Sequence, residues 1–265
     1  EVYGVPMTTT DAFNRALAHA DSGLALITGT TVDDVKVRSA LQVTKGRILI
    51  NLNNHAAAAT AVAGVLTSFQ YLEYHAITTT SNTYWNLANL AGRYSVSTKE
   101  GVNGLDYALA KDPRLPVCVG NDAACKLIGV TKSTRDDLTS PFYVQMMWPA
   151  QGSSVPVIAG IEARLIEAEA QLKAGNAAGS LATLNAARAT VTGLAPLTDA
   201  GTDPLRVDQL FRERAFTLFG RGTRTGDMRR LIRQYGRSAS AVFPTGAWHK
   251  GGSYGTDVTL PLPLS

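Results

Sequence analysis

The stretch from Ser81 to Asn89 carries the side chains best suited to binding a sugar. It reads Ser-Asn-Thr-Tyr-Trp-Asn-Leu-Ala-Asn, so two aromatic rings stand among amides and hydroxyls. A sugar offers apolar C–H faces and a rim of hydroxyl groups, and flat rings beside amide side chains recognise both. The predicted ligand-binding residues are Trp85, Tyr84, Asn82 and Asn86. The alternative is that Tyr84 and Trp85 are residues of the core or of an interface between subdomains; Trp148 and Trp248 are further candidates.

The chain has two cysteines, Cys118 and Cys125, within Cys-Val-Gly-Asn-Asp-Ala-Ala-Cys. A metal site would need more ligands nearby, and the four histidines are scattered singly. We therefore predict no metal site and a disulfide that closes a loop, which requires an oxidising compartment. The alternative is a pair of reduced, half-buried thiols.

Three short motifs typical of catalysis are missing from the sequence. It lacks a phosphate-binding Gly-Lys-Ser/Thr loop, His-Glu-x-x-His and a dinucleotide-binding Gly-x-Gly-x-x-Gly after a strand. Glycoside hydrolysis needs two carboxyl groups facing one sugar, and the acids Glu162, Glu167 and Glu169 lie on a helix that must also pack. We predict no catalytic residue and no cofactor.

The composition fits a globular chain with a sizeable core. Of 265 residues, 45% are hydrophobic, and the net charge of +4 is too small to favour a nucleic-acid partner. Ten of the basic residues lie between Leu205 and Lys250, against three acidic ones. These arginines either pair inside the fold or form a polyanion-binding face. No run of roughly 18 apolar residues could span a bilayer.

Two regions have the apolar periodicity of helical hairpins. Residues 10–66 predict helices at Asp11–Thr28, Asp33–Leu52 and His55–Val65, and residues 157–192 predict helices at Val157–Ala174 and Ala177–Val191. In each region, small residues after a turn let the second helix pack closely on the first. Aligned on the turns, Leu52 matches Lys173. This arrangement is typical of tetratricopeptide-like hairpins, and the alternative is two unrelated hairpins.

Residues 67–156 lack helical periodicity and are rich in Thr, Ser, Asn, Gly and aromatic residues, which predicts a long loop-rich insert. Residues 205–265 predict helices at Arg206–Phe219 and Asp227–Tyr235, followed by an extended tail. The expected fold is one mostly α domain over residues 1–265, with tetratricopeptide-like helical hairpins and an irregular insert.

Several segments follow one another in the order known from one protein family. The most specific, Glu213–Arg230, reads Glu-Arg-Ala-Phe-Thr-Leu-Phe-Gly-Arg-Gly-Thr-Arg-Thr-Gly-Asp-Met-Arg-Arg. The others are Tyr3–Met7, Ala40–Ala59, Asp112–Pro116, Glu162–Ala170, Leu184–Arg188, Phe243–Pro244 and Leu260–Pro263. Together they resemble the SusD/RagB family of nutrient-uptake outer-membrane proteins. The chain departs from the family at Thr217, Arg221 and Gly226, and it lacks the family's N-terminal third.

Four charged residues of the Glu213–Arg230 segment predict a structural ion-pair network: Glu213, Arg214, Arg224 and Asp227. The turn at Gly220 to Gly222 reverses the chain and allows the later two residues to fold back toward the earlier two.

The resemblance implies a receptor on the bacterial outer membrane, exposed at the cell surface. It would bind an oligosaccharide or another nutrient and pass it to a TonB-dependent outer-membrane transporter. Membrane association is expected only through a lipid anchor that this chain does not contain, and no nucleic acid is expected as a partner. The alternatives are a structural subunit that assembles with other copies into a surface complex or filament, and a hydrolase on the same scaffold.

Overall fold

The computed structural model describes residues 5–135 and 137–259, which are mostly α-helical, as predicted. They form two compact units. The first unit comprises residues 5–72 and 156–217, and the second comprises residues 73–155 without 136, and 218–259. Tyr3, Gly4 and Leu260–Pro263, which contribute to the family resemblance, lie outside the described residues. No helix in the described ranges has the length and apolar character needed to cross a membrane.

The elements follow the chain in this order. The helices are α1 (Thr9–Leu26), α2 (Val32–Asn51), α3 (His55–Val62), α4 (Ala123–Leu127), α5 (Gly160–Lys173), α6 (Ala177–Arg188), α7 (Asp203–Thr217), α8 (Arg224–Tyr235) and α9 (Ala239–Val242). A π-helical turn occupies Trp85–Leu90. The strands are β1 (Gln70–Glu73), β2 (Val117–Val119), β3 (Tyr143–Gln145) and β4 (Val155–Ala159), and they pair as β1 with β4 and β2 with β3.

The helix that was predicted to begin at Val157 begins instead at Gly160, because residues 157–159 belong to β4. Gly160 donates its backbone N–H to the Phe69 carbonyl oxygen at 2.8 Å. A Cβ at this position would lie 1.8 Å from the Leu66 carbonyl oxygen. Glycine therefore permits the close approach of two backbones at the start of α5.

The two helical hairpins of the first unit turn in the same way. Leu52 and Ala174 end their helices with φ and ψ of −80° and 5°, and −81° and 5°. The next residues, Asn53 and Gly175, have left-handed φ values of 60° and 77°. Glycine and asparagine are the residues that tolerate this backbone conformation best.

Asn54 and Asn176 then cap the following helices. Each accepts, through its side chain, the backbone N–H three residues on, at 3.3 Å and 2.9 Å. The structural alignment therefore pairs Leu52 with Ala174, so the sequence alignment of Leu52 with Lys173 was wrong by one residue.

Helices α2, α3 and α5 enclose the core of the first unit. Its fully buried members are Val43, Leu49, Ile50, Ala58, Val62, Val65, Ala163 and Ile166. Gly46 faces this core, where a Cβ would lie 2.6 Å from the Val62 Cγ1 and 3.0 Å from the Ile166 Cδ1. The absence of a side chain at Gly46 thus lets α2 pack closely on its neighbours.

A two-stranded antiparallel sheet, β2 with β3, anchors a small core in the second unit. Cys118 pairs in register with Val144, and a disulfide joins Cys118 to Cys125 on α4. The Asp122 side chain caps α4 by accepting the backbone N–H of Cys125 at 2.7 Å. Phe142 and Val144, both fully buried, pack against the disulfide.

Candidate functional site

The second unit contains a polar groove of about 710 Å³. Three segments form its walls: residues 95–101, the 134–141 loop and the 247–253 loop. The groove combines three aromatic residues, Tyr143, Trp248 and Tyr254, with hydroxyl and charged side chains. Its size falls within the range of small-molecule binding sites.

Hydrogen bonds within the 134–141 loop fix its shape. Thr134 and Pro141 form an antiparallel bridge at its base. Asp137 accepts the backbone N–H and the hydroxyl of Ser140 at 2.8 Å and 2.6 Å, and the N–H of Thr139 at 3.1 Å. These hydrogen bonds hold the pKa of Asp137 well below its ordinary value, and the hydrogen bond from the Ser140 hydroxyl contributes most to that shift. Asp137 therefore stays ionised.

The 247–253 loop carries Trp248 next to its base. Ala247 and Ser253 form a bridge at its base, and the Trp248 N–H donates to the Gly252 carbonyl oxygen at 3.0 Å. Gly251 and Gly252 close the turn with φ values of 98° and 76°. The Trp248 side chain is 42% exposed. Its ring meets the edge of the His249 ring at a centroid distance of 5.3 Å.

Two polar contacts fasten these loops to each other. The Arg135 Nη2 lies 3.2 Å from the His249 Nε2, and the Lys250 Nζ lies 3.2 Å from the Asp137 Oδ2. Because a guanidinium can only donate, the His249 Nε2 accepts, which a neutral imidazole with its proton on Nδ1 can do. The 134–141 loop and the 247–253 loop are therefore held in contact with each other.

The third wall, residues 95–101, is anchored at both ends. The Ser95 Oγ accepts the Tyr143 N–H at 2.9 Å, and the Val96 N–H donates to the Tyr143 carbonyl oxygen at 2.8 Å. Just beyond the other end, the Asn103 amide donates to the Phe243 carbonyl oxygen at 2.8 Å and accepts the Thr245 N–H at 3.0 Å. Asn103 thus ties this wall to the C-terminal segment.

The groove offers hydrogen-bonding groups that other residues have not taken. Among the described residues, the hydroxyls of Ser97, Thr98 and Thr139 have no hydrogen-bond partner. Glu100 is the only carboxylate among the described lining residues. Burial, and then the negative charge of Glu100, raise the pKa of the Tyr254 phenol. The arrangement can bind a polyhydroxylated ligand, and its described lining residues hold a single carboxylate, whereas a glycosidase uses two.

The second unit also contains an aromatic cavity of about 450 Å³. Its lining residues are Thr83, Tyr84, Leu87, Ala88, Tyr94, Ser95, Val96, Tyr143, Gln145, Trp148, Phe219 and Gly220. The rings of Tyr84 and Trp148 pack at a centroid distance of 4.7 Å. Burial, and then the charge of Glu73, raise the pKa of the Tyr84 phenol. Ser95, Val96 and Tyr143 line the polar groove as well.

Comparison with solved structures identifies the architecture. A SusD-like protein from Bacteroides fragilis matches 88% of this chain with a TM-score of 0.58 and 14% identity. A SusD superfamily protein from Bacteroides vulgatus matches 89% with a TM-score of 0.53 and 17% identity. The chain has a SusD-like fold. It covers 62% and 60% of the length of those two proteins. No protein-family model matches the chain, and no curated protein matches it significantly.

Within this SusD-like fold, the four predicted ligand-binding residues have different surroundings. Asn82 is fully buried: its amide donates to the Ser153 carbonyl oxygen at 2.7 Å and accepts the Trp85 N–H at 3.0 Å. The Asn86 amide donates to the Ser81 hydroxyl at 2.5 Å. Trp85 is half-buried and lines neither site, whereas Tyr84 lines the aromatic cavity. Asn82 therefore supports the start of the π-helical turn and exposes no atom to a ligand.

The residues of the predicted ion-pair network fall in both units. In the first unit, Glu213 accepts from Arg188 at 2.7 Å, and Arg214 lies 3.9 Å from Glu169. In the second unit, Asp227 accepts from Arg230 at 3.0 Å, and Arg224 is half-buried at the start of α8. A single network of Glu213, Arg214, Arg224 and Asp227 stays a prediction.

One cluster of described residues has the composition of a metal site, namely Cys118, Asp122 and Cys125, whose ligand atoms lie within 4.8 Å of one another. The disulfide occupies both sulfur atoms, so neither can bind a metal as a thiolate. Asp122 already caps α4. The cluster therefore has a structural role.

The polar groove was largely missed by sequence reasoning. Trp248 was a further candidate, but Arg135, which contacts His249, and Asn103, which contacts Thr245, carried no signal. The one local clue is the sequence Gly-Ala-Trp-His-Lys-Gly-Gly from Gly246 to Gly252, because an aromatic residue between glycines is typical of an exposed loop tip.

Proposed function

We propose that this protein is a non-enzymatic nutrient receptor that binds an oligosaccharide in the polar groove. The observation that carries the proposal is the exposed Trp248 ring beside the free hydroxyls of Ser97, Thr98 and Thr139. An indole face stacks on the C–H face of a sugar, and side-chain hydroxyls exchange hydrogen bonds with its rim.

The SusD-like fold and the sequence resemblance support the cellular role. On this proposal, the receptor is exported to the bacterial outer membrane and works at the cell surface. It passes its ligand to a TonB-dependent outer-membrane transporter. The chain spans about three fifths of the length of the matched proteins.

Replacing Trp248 by Ala should weaken glycan retention by about tenfold or more, because a stacked aromatic residue is the kind of contact that dominates such interfaces. Affinity electrophoresis in gels containing plant and host polysaccharides measures the effect. The 42% exposure of the side chain means that the fold should tolerate the change.

Trp85→Ala serves as the matched control, since Trp85 lies outside the groove. Retention that survives Trp85→Ala but not Trp248→Ala supports the groove. Loss only with Trp85→Ala would move the site to the Ser81–Asn89 stretch. Retention by both variants would refute sugar stacking at either tryptophan.

Exposed apolar side chains in the first unit favour one alternative, a structural subunit that assembles with other copies. Leu26 at the end of α1 and Val32 at the start of α2 are 82% and 85% exposed, and Val35 is 49% exposed. Large apolar side chains that cluster at the surface mark interaction sites.

A further inference from the structure

We infer that the aromatic cavity of the second unit is a separate binding site for a neutral aromatic compound of one or two ring systems. This inference does not depend on glycan binding in the polar groove. It rests on the lining of the cavity, on the hydrogen bonds of that lining, and on the helical turn behind it.

The walls present an unusual density of aromatic rings. Five of the lining residues carry one: Tyr84, Tyr94, Tyr143, Trp148 and Phe219. The remaining walls include the aliphatic side chains of Leu87, Ala88 and Val96. Aromatic pairs gain free energy from edge-to-face and offset-stacked geometry beyond the burial of area, so such walls favour a ring over an aliphatic chain.

Three polar side chains of the lining, those of Tyr84, Ser95 and Gln145, have hydrogen-bond partners within the protein. The Gln145 amide donates to the Trp148 carbonyl oxygen and to the Asn89 Oδ1, both at 3.2 Å, and its oxygen accepts the Trp148 N–H at 2.9 Å. The Tyr84 hydroxyl donates to the Gly220 carbonyl oxygen. Tyr84 and Gln145 therefore have little hydrogen-bonding capacity left for the hydroxyls of a sugar, whereas an aromatic ring does not need it.

Three hydroxyls remain for a polar substituent on the ligand, those of Thr83, Tyr94 and Tyr143. All three residues line the cavity, and none of these hydroxyls has a hydrogen-bond partner among the described residues. Tyr94 is 63% exposed, so its hydroxyl is accessible from solvent. The matching ligand has an aromatic body and one or two polar atoms, as a phenol or an indole has.

The π-helical turn at Trp85–Leu90 forms the back of the cavity and supplies Leu87 and Ala88. Its wider backbone is closed by the Ala91 N–H, which donates to the Asn86 carbonyl oxygen at 2.8 Å. Short π-helical turns occur frequently at functional sites, where they reposition side chains. Gly220 also lines the cavity and has a φ of 73°. A Cβ at this position would lie 2.9 Å from the Trp148 ring, so glycine leaves room for that ring.

Fluorescence titration of the whole chain with N-phenyl-1-naphthylamine tests the site. Ala88→Phe places a benzyl ring in the cavity and should weaken binding by about tenfold. Ala241→Phe, on the exposed surface of α9, is the matched control and should not. Indole should displace the probe, and cyclohexanol should do so much less well. Tyr94→Ala, at an exposed side chain, should weaken binding severalfold and gives a second test if Ala88→Phe folds poorly.

Saturable binding that Ala88→Phe and Tyr94→Ala both weaken supports the site. Three outcomes overturn it: no saturable binding of the probe, an affinity unchanged by both variants, or displacement by cyclohexanol as effective as that by indole. Circular dichroism of each variant establishes that the fold is intact before titration.

Discussion

Asp199, a carboxylate of the first unit, forms an ion pair with Arg206. Arg206 donates to both of its oxygens at 2.7 Å. This pairing is the main cause that lowers its pKa from 3.8 to about 2 in the folded protein. Since the unfolded state binds the proton more readily, the contribution of Asp199 to stability is complete above pH 3.8 and disappears as the pH falls through 2.

We predict that Asp199→Asn lowers the urea midpoint at neutral pH and flattens its decline between pH 4 and pH 2. The two proteins should converge below pH 2, where Asp199 is itself uncharged. Urea unfolding followed by tryptophan fluorescence across this range measures the difference. Parallel curves with a constant offset at every pH would exclude a role for this carboxylate in acid unfolding.

At the residue scale, prediction from sequence is limited where long-range contacts decide which side chains meet. Asn82 and Asn86 have the amide chemistry of a sugar site, yet Asn82 is used to begin the π-helical turn. Conversely, the contact of Arg135 with His249 spans 114 positions, and that of Asn103 with Thr245 spans 142. No local pattern encodes such pairings.

At the scale of elements, the periodic helices were predictable because their apolar spacing and their caps are local. The helix predicted from Asp33 to Leu52 runs from Val32 to Asn51, and a reciprocal capping box between Thr31 and Asp34 begins it. The short strands and the π-helical turn were not predictable, since their stability comes from neighbours distant in the chain.

The pairing of Arg47 on α2 with Glu162 on α5 is the element contact most open to test. The Arg47 Nε and Nη2 donate to the two oxygens of Glu162 at 2.6 Å and 2.5 Å, and Glu162 is fully buried. Arg47→Ala leaves a buried carboxylate unpaired and should lower the free energy of unfolding by about 3 kcal/mol.

Combining Arg47→Met with Glu162→Leu should recover most of that loss, because no charge is then buried. Chemical denaturation of the single and double variants makes the comparison, with Arg206→Ala as an exposed ion-pair control that should cost much less. A double variant as unstable as Arg47→Ala would mean that lost packing, rather than the unpaired buried charge, causes the loss of stability.

At the scale of the whole molecule, the SusD-like fold defines the architecture but does not identify the ligand, because one fold supports many different binding sites.

The assembly alternative predicts that copies of the chain associate with one another, which the receptor proposal does not require. Sedimentation velocity should detect reversible self-association of the wild type, and Leu26→Ser with Val32→Ser should abolish it. A wild type that stays monomeric at high concentration would remove the assembly alternative and leave the receptor proposal standing.

The disulfide between Cys118 and Cys125 has a consequence for biogenesis. Its cysteines are separated by seven positions, and these 265 residues contain no third one. Within this chain no scrambled pairing exists, so an oxidant can introduce the bond without a proofreading isomerase. The ends of such a short loop meet within about a microsecond, long before slower steps of maturation. Protein produced in a reducing cytosol would lack this disulfide, whereas protein secreted into an oxidising compartment would form it.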